Sequence, residues 1–371
     1  MSDPRRTPLY ERHAALGASF TDFGGWDMPV RYTSDLAEHH AVRRAAGLFD
    51  ISHMAEFEVS GADAGAFLDY ALAGRISTMK TGKAKYSLLL AGSGGVVDDV
   101  IVYRVDDEKF LVISNAGNRA LVAAALAERF TTATAGFTVG VSDVSDEYAL
   151  IAVQGPRAQE IVSATPGIAL DGIAGLGYYA WLGGSFDGAG LFVARTGYTG
   201  EDGFELLVPN ASAGALWDAL LAAGEPFGLV PAGLAARDTL RLEAGMPLHG
   251  HELSVDILPA QAGLGRVVAA DKADFVGKDA LAAAPDDLPV LVGLTAEGRR
   301  AGRAGYAVLD AAGTPIGEIT SGALSPTLGH PIALAFVSPA SAAVGTALLI
   351  DVRGTRIPAT VTALPFYRRT A

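Results

Sequence analysis

Leu191-Phe-Val-Ala-Arg-Thr-Gly-Tyr-Thr-Gly-Glu-Asp-Gly-Phe-Glu-Leu-Leu-Val208 combines two apolar runs with a polar, glycine-rich segment between them. The runs 191–194 and 204–208 predict a pair of strands. Gly197, Gly200 and Gly203 allow positive φ and a close approach of the backbone to a ligand, and an arginine and carboxylates occupy the same turn. The segment therefore predicts either a hairpin with a bulge or a hairpin that carries a binding site, and these residues alone leave both interpretations open.

The composition is that of a globular protein with two or three domains. The chain has 371 residues, of which 50% are hydrophobic and 19% are charged, and a domain commonly takes roughly 100 to 200 residues. No apolar run approaches the roughly 18 residues of a membrane span, so we expect no membrane partner. The start, Met1-Ser-Asp-Pro-Arg-Arg6, leads into no apolar segment of a secretory signal. We therefore expect a cytoplasmic protein.

The charged residues and the lack of cysteine exclude several classes of site. With no cysteine, disulfides, thiolate nucleophiles and cysteine-based zinc or iron–sulfur sites are excluded. The net charge of −13 argues against nucleic-acid binding without a local basic patch, and no lysine-rich tract occurs. Arginines outnumber lysines by 22 to six, and the guanidinium group suits bidentate recognition of small carboxylates. The composition thus favours an acidic small-molecule ligand.

Periodicity predicts a mixed α+β chain with an all-β end. The predicted helices are 35–46, stopped by Gly47, then 63–72, 118–130, one opened by Pro156, 211–223 and 232–245. Before residue 291 the predicted strands lie within 48–60, 86–90, 96–104, 109–114, 149–153, 191–194 and 204–208. After a linker at 281–288, six short strands at 291–294, 306–309, 316–320, 332–337, 347–352 and 357–363 predict a small all-β domain.

Asp98 and Asp99 lie on opposite faces of the predicted strand 96–104, because side chains alternate along a strand. Both faces are otherwise apolar. We therefore expect at least one carboxylate to be partly desolvated, with a raised pKa and the capacity to handle a proton or stabilise a cation. The alternative is that one aspartate ends the strand at the turn and the other pairs with an arginine.

Two arginines lie four residues apart on the predicted helix 232–245 and so share a face. Arg237 and Arg241 are satisfied either by neighbouring carboxylates, such as Asp238 and Glu243, or by an anionic ligand. Structural ion pairs of the first kind are common in proteins. The spacing alone does not decide between the two.

Other motifs carry little chemistry. His249 and His251, followed by Glu252, match no common metal-ligand spacing, so we expect no metal site. His39 and His40 are predicted to be neighbours on a helix, one in the core and one at the surface. No nucleotide-binding glycine motif, Walker loop or nucleophile elbow occurs.

Eight short segments follow one another in the order found in a known family. They are Leu48-Phe-Asp-Ile-Ser-His-Met54, Gly82-Lys-Ala-Lys-Tyr86, Gly94-Gly-Val-Val-Asp-Asp99, Ser114-Asn-Ala116, Leu150-Ile-Ala-Val-Gln-Gly-Pro156, 195–205, 233–245 and Thr320-Ser-Gly-Ala-Leu-Ser-Pro-Thr327. In this order, and over nearly the whole chain, the sequence resembles aminomethyltransferase, the T-protein of the glycine cleavage system.

The resemblance implies an α+β fold of three domains around a central folate cavity. The first domain is discontinuous, over 1–53 and 145–280. A ferredoxin-like domain is inserted at 54–144, and a C-terminal β-barrel domain covers 289–371. This last boundary agrees with the independent change of pattern near Leu291.

The resemblance also implies the reaction and its partners. The family takes the aminomethyl group from the lipoyl arm of the lipoylated H-protein, releases ammonia and passes the carbon to tetrahydrofolate as 5,10-methylenetetrahydrofolate. Glu205 matches the pterin-binding glutamate, and Asp99 matches the essential aspartate near N5 and N10. Arg237 and Arg368 match folate-binding arginines. The residues expected to line the pocket are Met54, Tyr86, Asn115 and Tyr198.

Two departures and two alternatives accompany the resemblance. His249 and Arg266 replace aromatic residues of the family, so we assign no stacking role to either position. A folate-dependent demethylase with a different methyl donor remains open, because the same pocket accepts other donors. A non-catalytic folate-binding relative involved in iron–sulfur maintenance has a signature cysteine, which this chain lacks.

Overall fold

A computed structural model describes residues 4–133 and 136–369. The expectations about the extreme start of the chain and the outer limits of the predicted domains, at residues 1 and 371, lie outside the described residues. Contacts within the chain define two compact units. The first unit comprises Met1–Ser87, Asp99–Gly197 and Glu201–Arg237, and the second comprises Leu88–Asp98, Tyr198–Gly200 and Asp238–Ala371. The three-domain boundaries stay a prediction.

Helices and strands alternate irregularly along the described chain. The helices are α1 (Tyr10–Ala15), α2 (Asp35–Arg44), α3 (Ala64–Ala71), α4 (Arg119–Thr132), α5 (Ala158–Ala164), α6 (Asn210–Gly224), α7 (Leu234–Glu243) and α8 (Lys278–Ala282). The strands before the barrel are β1 (Ser19–Phe23), β2 (Trp26–Arg31), β3 (Ala46–Asp50), β4 (Ala55–Ser60), β5 (Ala84–Leu90), β6 (Val96–Arg104), β7 (Lys109–Ser114), β8 (Gly140–Asp143), β9 (Tyr148–Gln154), β10 (Ile168–Ala169), β11 (Trp181–Phe186), β12 (Ala189–Ala194), β13 (Gly203–Pro209) and β14 (Leu229–Pro231). The barrel strands are β15 (Val290–Ala296), β16 (Ala307–Leu309), β17 (Pro315–Leu324), β18 (Pro331–Val337), β19 (Ala347–Val352) and β20 (Thr355–Thr362).

A seven-stranded sheet in the first unit has the order β10-β11-β12-β13-β9-β3-β14. Its pairs are antiparallel except β14 with β3, which is parallel. Mostly apolar residues form β9 and β13, and both strands are almost fully buried, as expected for central strands covered by helices. Trp217 of α6 is fully buried in the core formed with this sheet. The hairpin predicted by the segment 191–208 is confirmed as β12 and β13.

A second sheet, of five strands, has the order β5-β6-β7-β4-β8. The predicted meander over 86–114 is confirmed as β5, β6 and β7. Helices α3 and α4 contact each other and pack on this sheet. Phe57, Phe67 and Phe110 are buried there. This arrangement places β6, with Asp99, beside β7, whose end leads into Asn115.

The second unit contains a closed barrel of β15-β18-β17-β16-β19-β20. All six strands predicted after residue 291 are present, so the expected mixed fold with a C-terminal barrel is confirmed. The inward face of the barrel consists of small and branched apolar side chains, among them Leu294, Ile319 and Val361, which are almost fully buried. Among residues 4–133 and 136–369, no helix has the length and apolarity needed to cross a bilayer.

The predicted end of helix α2 is wrong. Helix α2 ends at Arg44, and Gly47 lies inside strand β3 rather than at the helix end. A Cβ atom at Gly47 would lie 2.5 Å from Cγ2 of Val42 and 3.3 Å from Cβ of Ala232. The glycine is therefore explained by close packing on the strand, and the helix ends two residues before its predicted end at residue 46.

Candidate functional site

The two adjacent aspartates of β6 have different environments. Burial alternates along the strand, and Asp98 is fully buried whereas Asp99 is partly exposed. The prediction that at least one of the two carboxylates is withdrawn from solvent is confirmed by Asp98. The residue that matches the family's essential aspartate is the one whose side chain retains access to solvent.

Asp99 is held by two of the residues predicted to line the pocket. The hydroxyl of Tyr86, on β5, donates to Oδ2 of Asp99 at 3.0 Å. The amide of Asn115, just after β7, donates to Oδ1 at 2.8 Å and to the Asp99 carbonyl at 3.3 Å. Donors on both carboxylate oxygens favour the ionised form. The three side chains, which are distant in sequence, thus form one cluster in the first unit.

The loop between β12 and β13 uses two of its three carboxylates in ion pairs. Asp202 accepts from Nε and Nη2 of Arg195 at 2.9 and 2.6 Å. Glu201 forms a buried pair with Arg43 at 2.9 Å. Glu205 forms no such pair with a described residue. The loop therefore presents one carboxylate whose charge is not neutralised by a direct arginine contact.

Two glycines of this loop make room for a side chain rather than for a ligand. Cβ atoms at Gly197 and Gly203 would lie 2.0 and 2.3 Å from the amide group of Gln154, which is buried. Neither glycine has positive φ, whereas Gly200 does, at 79°. The expectation that all three glycines serve backbone freedom is thus wrong for two of them.

Glu205 lies at the start of β13 and accepts hydroxyl hydrogen bonds on one oxygen only. Thr196 donates to Oε2 at 2.5 Å, and Tyr103 lies 3.5 Å from the same oxygen. Within the described chain, Oε1 accepts no hydrogen bond. Burial raises the pKa of Glu205, while the Thr196 hydrogen bond, the charge of Arg237 and the Tyr103 hydrogen bond oppose that rise. The carboxylate is therefore a partly buried acceptor with one oxygen available.

The two arginines of α7 have different surroundings. Arg241 is 2% exposed and donates to Asp238 at 2.8 Å and to Glu252 at 3.1 Å. The predicted pairing with Asp238 is confirmed for Arg241, and Glu243 accepts hydrogen bonds from Ser325 and Thr327. Arg241 is thus a structural arginine.

Arg237 is partly exposed, and its charge reaches two groups of the first unit. It partly offsets the burial that raises the pKa of Glu205, and it contributes, after burial, to lowering the pKa of His53 to about 4. His53 is therefore neutral near pH 7. The arginine and the glutamate that match the family's folate-binding pair lie within electrostatic range of each other.

The sequence does not predict a functional role for three residues that the structure places near the two carboxylates in the first unit. Thr196 and Tyr103 contact Glu205 as described above. Tyr179 has the left-handed φ of 55°, which is unusual for a residue with a side chain. Burial raises its pKa above the usual range, and the charges of Glu205 and Asp99 add to that effect. Tyr179 thus lies within electrostatic range of both carboxylates, and only the fold brings the three together.

The remaining predicted pocket residues are distributed over both units. Met54 is partly exposed in the first unit, in the turn before β4. Tyr198 belongs to the second unit, where its hydroxyl donates to the carbonyl of Pro247. Arg368, also in the second unit, is exposed and forms no ion pair with a described residue.

The histidines near residue 250 bind separate backbone carbonyls. A ring nitrogen of His249 lies 3.3 Å from the Val96 carbonyl, and one of His251 lies 2.9 Å from the Thr320 carbonyl. Of the residues that the structure describes, no group of three or more His, Asp or Glu side chains could hold a metal ion. Arg266, at the other departure from the family, is exposed.

The first unit therefore combines a hydrogen-bonded aspartate, an acceptor glutamate and a cation. Such a set can bind a heterocycle with adjacent N–H donors through Glu205. It can also hold or move a proton, or stabilise a developing cation, at Asp99. Arg237 supplies a positive charge for an anionic part of the same ligand.

Comparisons with known proteins agree on one family. The family model described as the GCVT N-terminal domain matches residues 9–272, and that of the glycine cleavage T-protein C-terminal barrel domain matches residues 290–368. A protein of Cutibacterium acnes named aminomethyltransferase is 57% identical over the full length of both chains. A relative of the same name from Moorella thermoacetica is 47% identical over 100% of this chain and 99% of its own. The crystal structure of the glycine cleavage system aminomethyltransferase T from Bartonella henselae has a TM-score of 0.89 at 38% identity and covers 98% of each chain.

Proposed function

The chain belongs to the aminomethyltransferase family, the T-proteins of the glycine cleavage system, and from this membership we propose the reaction that it catalyses. It transfers the aminomethyl carbon from the lipoyl arm of a lipoylated H-protein to tetrahydrofolate. The products are ammonia, 5,10-methylenetetrahydrofolate and the dihydrolipoyl carrier. The cytoplasm remains the predicted location.

The observation that carries the folate proposal is the state of Glu205. Of the three carboxylates in its loop it is the one without a direct arginine pair among the described residues, since Glu201 and Asp202 bind Arg43 and Arg195. An edge of the pterin ring presents adjacent N–H donors, which a carboxylate can accept together. Arg237 adds a positive charge close by. We assign Glu205 to the pterin and Arg237 to folate binding.

Asp99 is assigned to the chemical step. In the balanced reaction the methylene carbon forms bonds to N5 and N10 of tetrahydrofolate, while its bonds to the lipoyl sulfur and to the amino nitrogen break. The two protons lost from N5 and N10 leave with the thiol and with ammonia. A carboxylate near these nitrogens can relay a proton and stabilise the iminium character that develops as ammonia leaves. The hydrogen bonds from Tyr86 and Asn115 orient Asp99 for that role.

Met54, Tyr86, Asn115, Tyr198 and Arg368 remain predicted folate-binding residues. Tyr86 and Asn115 are best supported, since both contact Asp99. Arg368 is supported only by its exposed guanidinium and by the resemblance. Tetrahydrofolate acts here as a substrate, and the proposal requires no metal.

Exposed arginines at one end of the barrel support an acidic protein partner. They lie on the loop between β15 and β16 and on the hairpin of β19 and β20, and are Arg299, Arg300, Arg303, Arg353 and Arg356. Arg300 donates to Thr355 of the β19–β20 turn, and Arg353 donates to Tyr306 beside β16, which places these loops together. None of the five forms an ion pair with a described residue. On a chain of net charge −13, this patch is the surface that we propose for an acidic lipoyl carrier.

The carrier surface is tested by reversing its charge. The triple variant Arg299→Glu, Arg300→Glu, Arg303→Glu should raise KM for the lipoylated carrier at least about tenfold, because like charges then oppose docking. Tetrahydrofolate affinity should stay unchanged. An unchanged KM for the carrier at low salt would remove the patch from the proposal.

The catalytic assignment is tested with Asp99→Asn. We expect tetrahydrofolate affinity within about tenfold of the wild type, because the role of Asp99 is in the transition state. Turnover should fall by about 10² to 10⁴. Asp107→Asn, at an exposed carboxylate beyond the same strand, is the matched control and should retain full turnover. If affinity, turnover and melting temperature of Asp99→Asn fell together, Asp99 would be structural.

A further inference from the structure

Two buried hydroxyl groups form a chain that ends on Glu205. Tyr103, on β6, is 2% exposed and Thr196, just after β12, is 1% exposed. Their hydroxyl oxygens lie 3.0 Å apart, and the Thr196 hydroxyl lies 2.5 Å from Oε2 of Glu205. Neither residue was singled out by the sequence. Tyr103 approaches Glu205 from the five-stranded sheet, and Thr196 approaches it from the loop after β12.

The direction of these hydrogen bonds follows from the available protons. An ionised carboxylate only accepts, so the single hydroxyl proton of Thr196 is donated to Oε2. The Thr196 oxygen then accepts from the hydroxyl of Tyr103 at 3.0 Å, and the same phenol proton is shared with Oε2 of Glu205, which lies farther away at 3.5 Å. A phenol that donates to a hydroxyl strengthens the donation by that hydroxyl, because hydrogen bonds in a chain polarise one another. Tyr103, Thr196 and Glu205 therefore form a directed relay.

The two residues that donate in the relay, Thr196 and Tyr103, are held by their surroundings. The amide of Gln154 donates to the Thr196 carbonyl at 3.1 Å, and Gly197 and Gly203 leave room for that amide. The ring of Tyr103 packs edge-on against Phe192, with centroids 5.1 Å apart. These contacts and burial hold the Thr196 backbone and the Tyr103 ring in place, so the two hydroxyl donors favour one orientation of the Glu205 carboxylate.

We propose that Thr196 and Tyr103 are positioning residues that hold Glu205 as an ionised acceptor, with Oε1 directed to the ligand. They thereby select a ligand that presents N–H donors to this carboxylate over one of the same shape that lacks them. A site whose acceptor is fixed rejects such an analogue because the acceptor loses its partner on binding. The selection rests on the proposed folate function, whereas the state of Glu205 can be measured without any ligand.

Other charged and titratable groups around Glu205 also affect the ionisation of its carboxyl group. Arg237 from α7 favours the ionised form. Tyr103 and the partly buried Tyr179 keep their protons, since burial and the Glu205 charge raise the pKa of each phenol. Arg237 is unchanged in the variants below, so a difference between them reports on the hydroxyl donors.

The first test is the titration of Glu205 in the ligand-free protein. The carboxyl carbon is followed by ¹³C NMR in protein labelled at glutamate, with Glu205→Gln to identify the signal. Thr196→Val, which keeps the shape and removes the donor, should shift the midpoint upward by about one pH unit or more. Tyr103→Phe should shift it in the same direction by less, and Thr196→Ser should restore the wild-type value. Thr165→Val, which removes another buried hydroxyl donor in the first unit, should cause no shift.

The second test measures selection by the binding of two probes. Wild type should bind tetrahydrofolate more tightly than its 2-desamino-2-methyl analogue, which lacks the amino donors. In Thr196→Val this preference should fall about tenfold, and in Thr165→Val it should be retained. An unchanged Glu205 midpoint in Thr196→Val would overturn the inference even if folate binds. If wild type did not bind tetrahydrofolate while the midpoint still shifted, the folate function would fail and the positioning of Glu205 would stand.

Discussion

Replacing the buried arginine of α7 should destabilise the protein strongly. Arg241 is 2% exposed and donates to Asp238, Glu252, Ser321 and the Met246 carbonyl at 2.8 to 3.3 Å. Arg241→Met removes all four contacts. It also leaves Glu252, which is 0% exposed, as a buried carboxylate without its cation. Loss of one partner of a buried pair costs about 3 to 5 kcal/mol.

Thermal unfolding followed by circular dichroism measures this loss. The second unit contains about 150 residues, and each kcal/mol lowers Tm by roughly 2 to 4 °C for a domain of that size. Arg241→Met should therefore lower Tm by roughly 6 °C or more. Adding Glu252→Gln should recover part of the loss, because the buried charge is then removed.

Arg237→Met is the matched control on the same helix. Its side chain is partly exposed, and an exposed ion pair contributes about 1 kcal/mol or less. Its Tm should change little, while tetrahydrofolate affinity falls. A normal Tm for Arg241→Met, together with a large loss of Tm for Arg237→Met, would reverse the structural and functional assignments of the two arginines.

Two further predictions concern the first unit. Glu56 is 1% exposed, no described group hydrogen-bonds its carboxyl oxygens, and burial raises its pKa well above the usual value. The unfolded chain releases the Glu56 proton near pH 4.5, whereas the folded chain retains it, so the stability of the wild type declines above that pH. Glu56→Gln should therefore have the same Tm as the wild type at pH 4 and a higher Tm at pH 8. Gly203→Ala should cost about 1 to 3 kcal/mol in urea unfolding, since its Cβ would lie 2.3 Å from Gln154. In a background that carries Gln154→Ala, Gly203→Ala should lower the free energy of unfolding by less. Equal losses in the two backgrounds would contradict the packing explanation.

The sequence predicts the elements whose signals are local. The strands around Asp99 and Glu205 and all six barrel strands follow from apolar runs and turn residues. The sequence predicts helix α2 too long, because a glycine such as Gly47 commonly ends a helix. Its actual role is close contact with Val42 and Ala232, and Ala232 is far away in sequence.

The site is less predictable because its contacts are not local. The resemblance predicts roles for Asp99, Glu205 and Arg237 and expects Tyr86 and Asn115 to line the pocket, whereas the contacts of Tyr86 and Asn115 with Asp99 appear only in the structure. Thr196 and Tyr103 lie 93 residues apart and resemble an ordinary loop threonine and an ordinary strand tyrosine. The sequence predicts that the glycines of the segment 195–205 serve backbone freedom, whereas two of them, Gly197 and Gly203, leave room for the side chain of Gln154. Only the pairing of β13 with β9 brings that side chain to them.

The most direct test of the proposed function is a single-turnover reaction. The protein is mixed with lipoylated H-protein that carries the aminomethyl group, in the presence and absence of tetrahydrofolate. We predict that ammonia and 5,10-methylenetetrahydrofolate form together, one of each per aminomethyl group, and that Asp99→Asn slows both equally. Tight binding of tetrahydrofolate with neither product formed would contradict the aminomethyl transfer and favour a folate-dependent demethylase or a non-catalytic folate-binding protein.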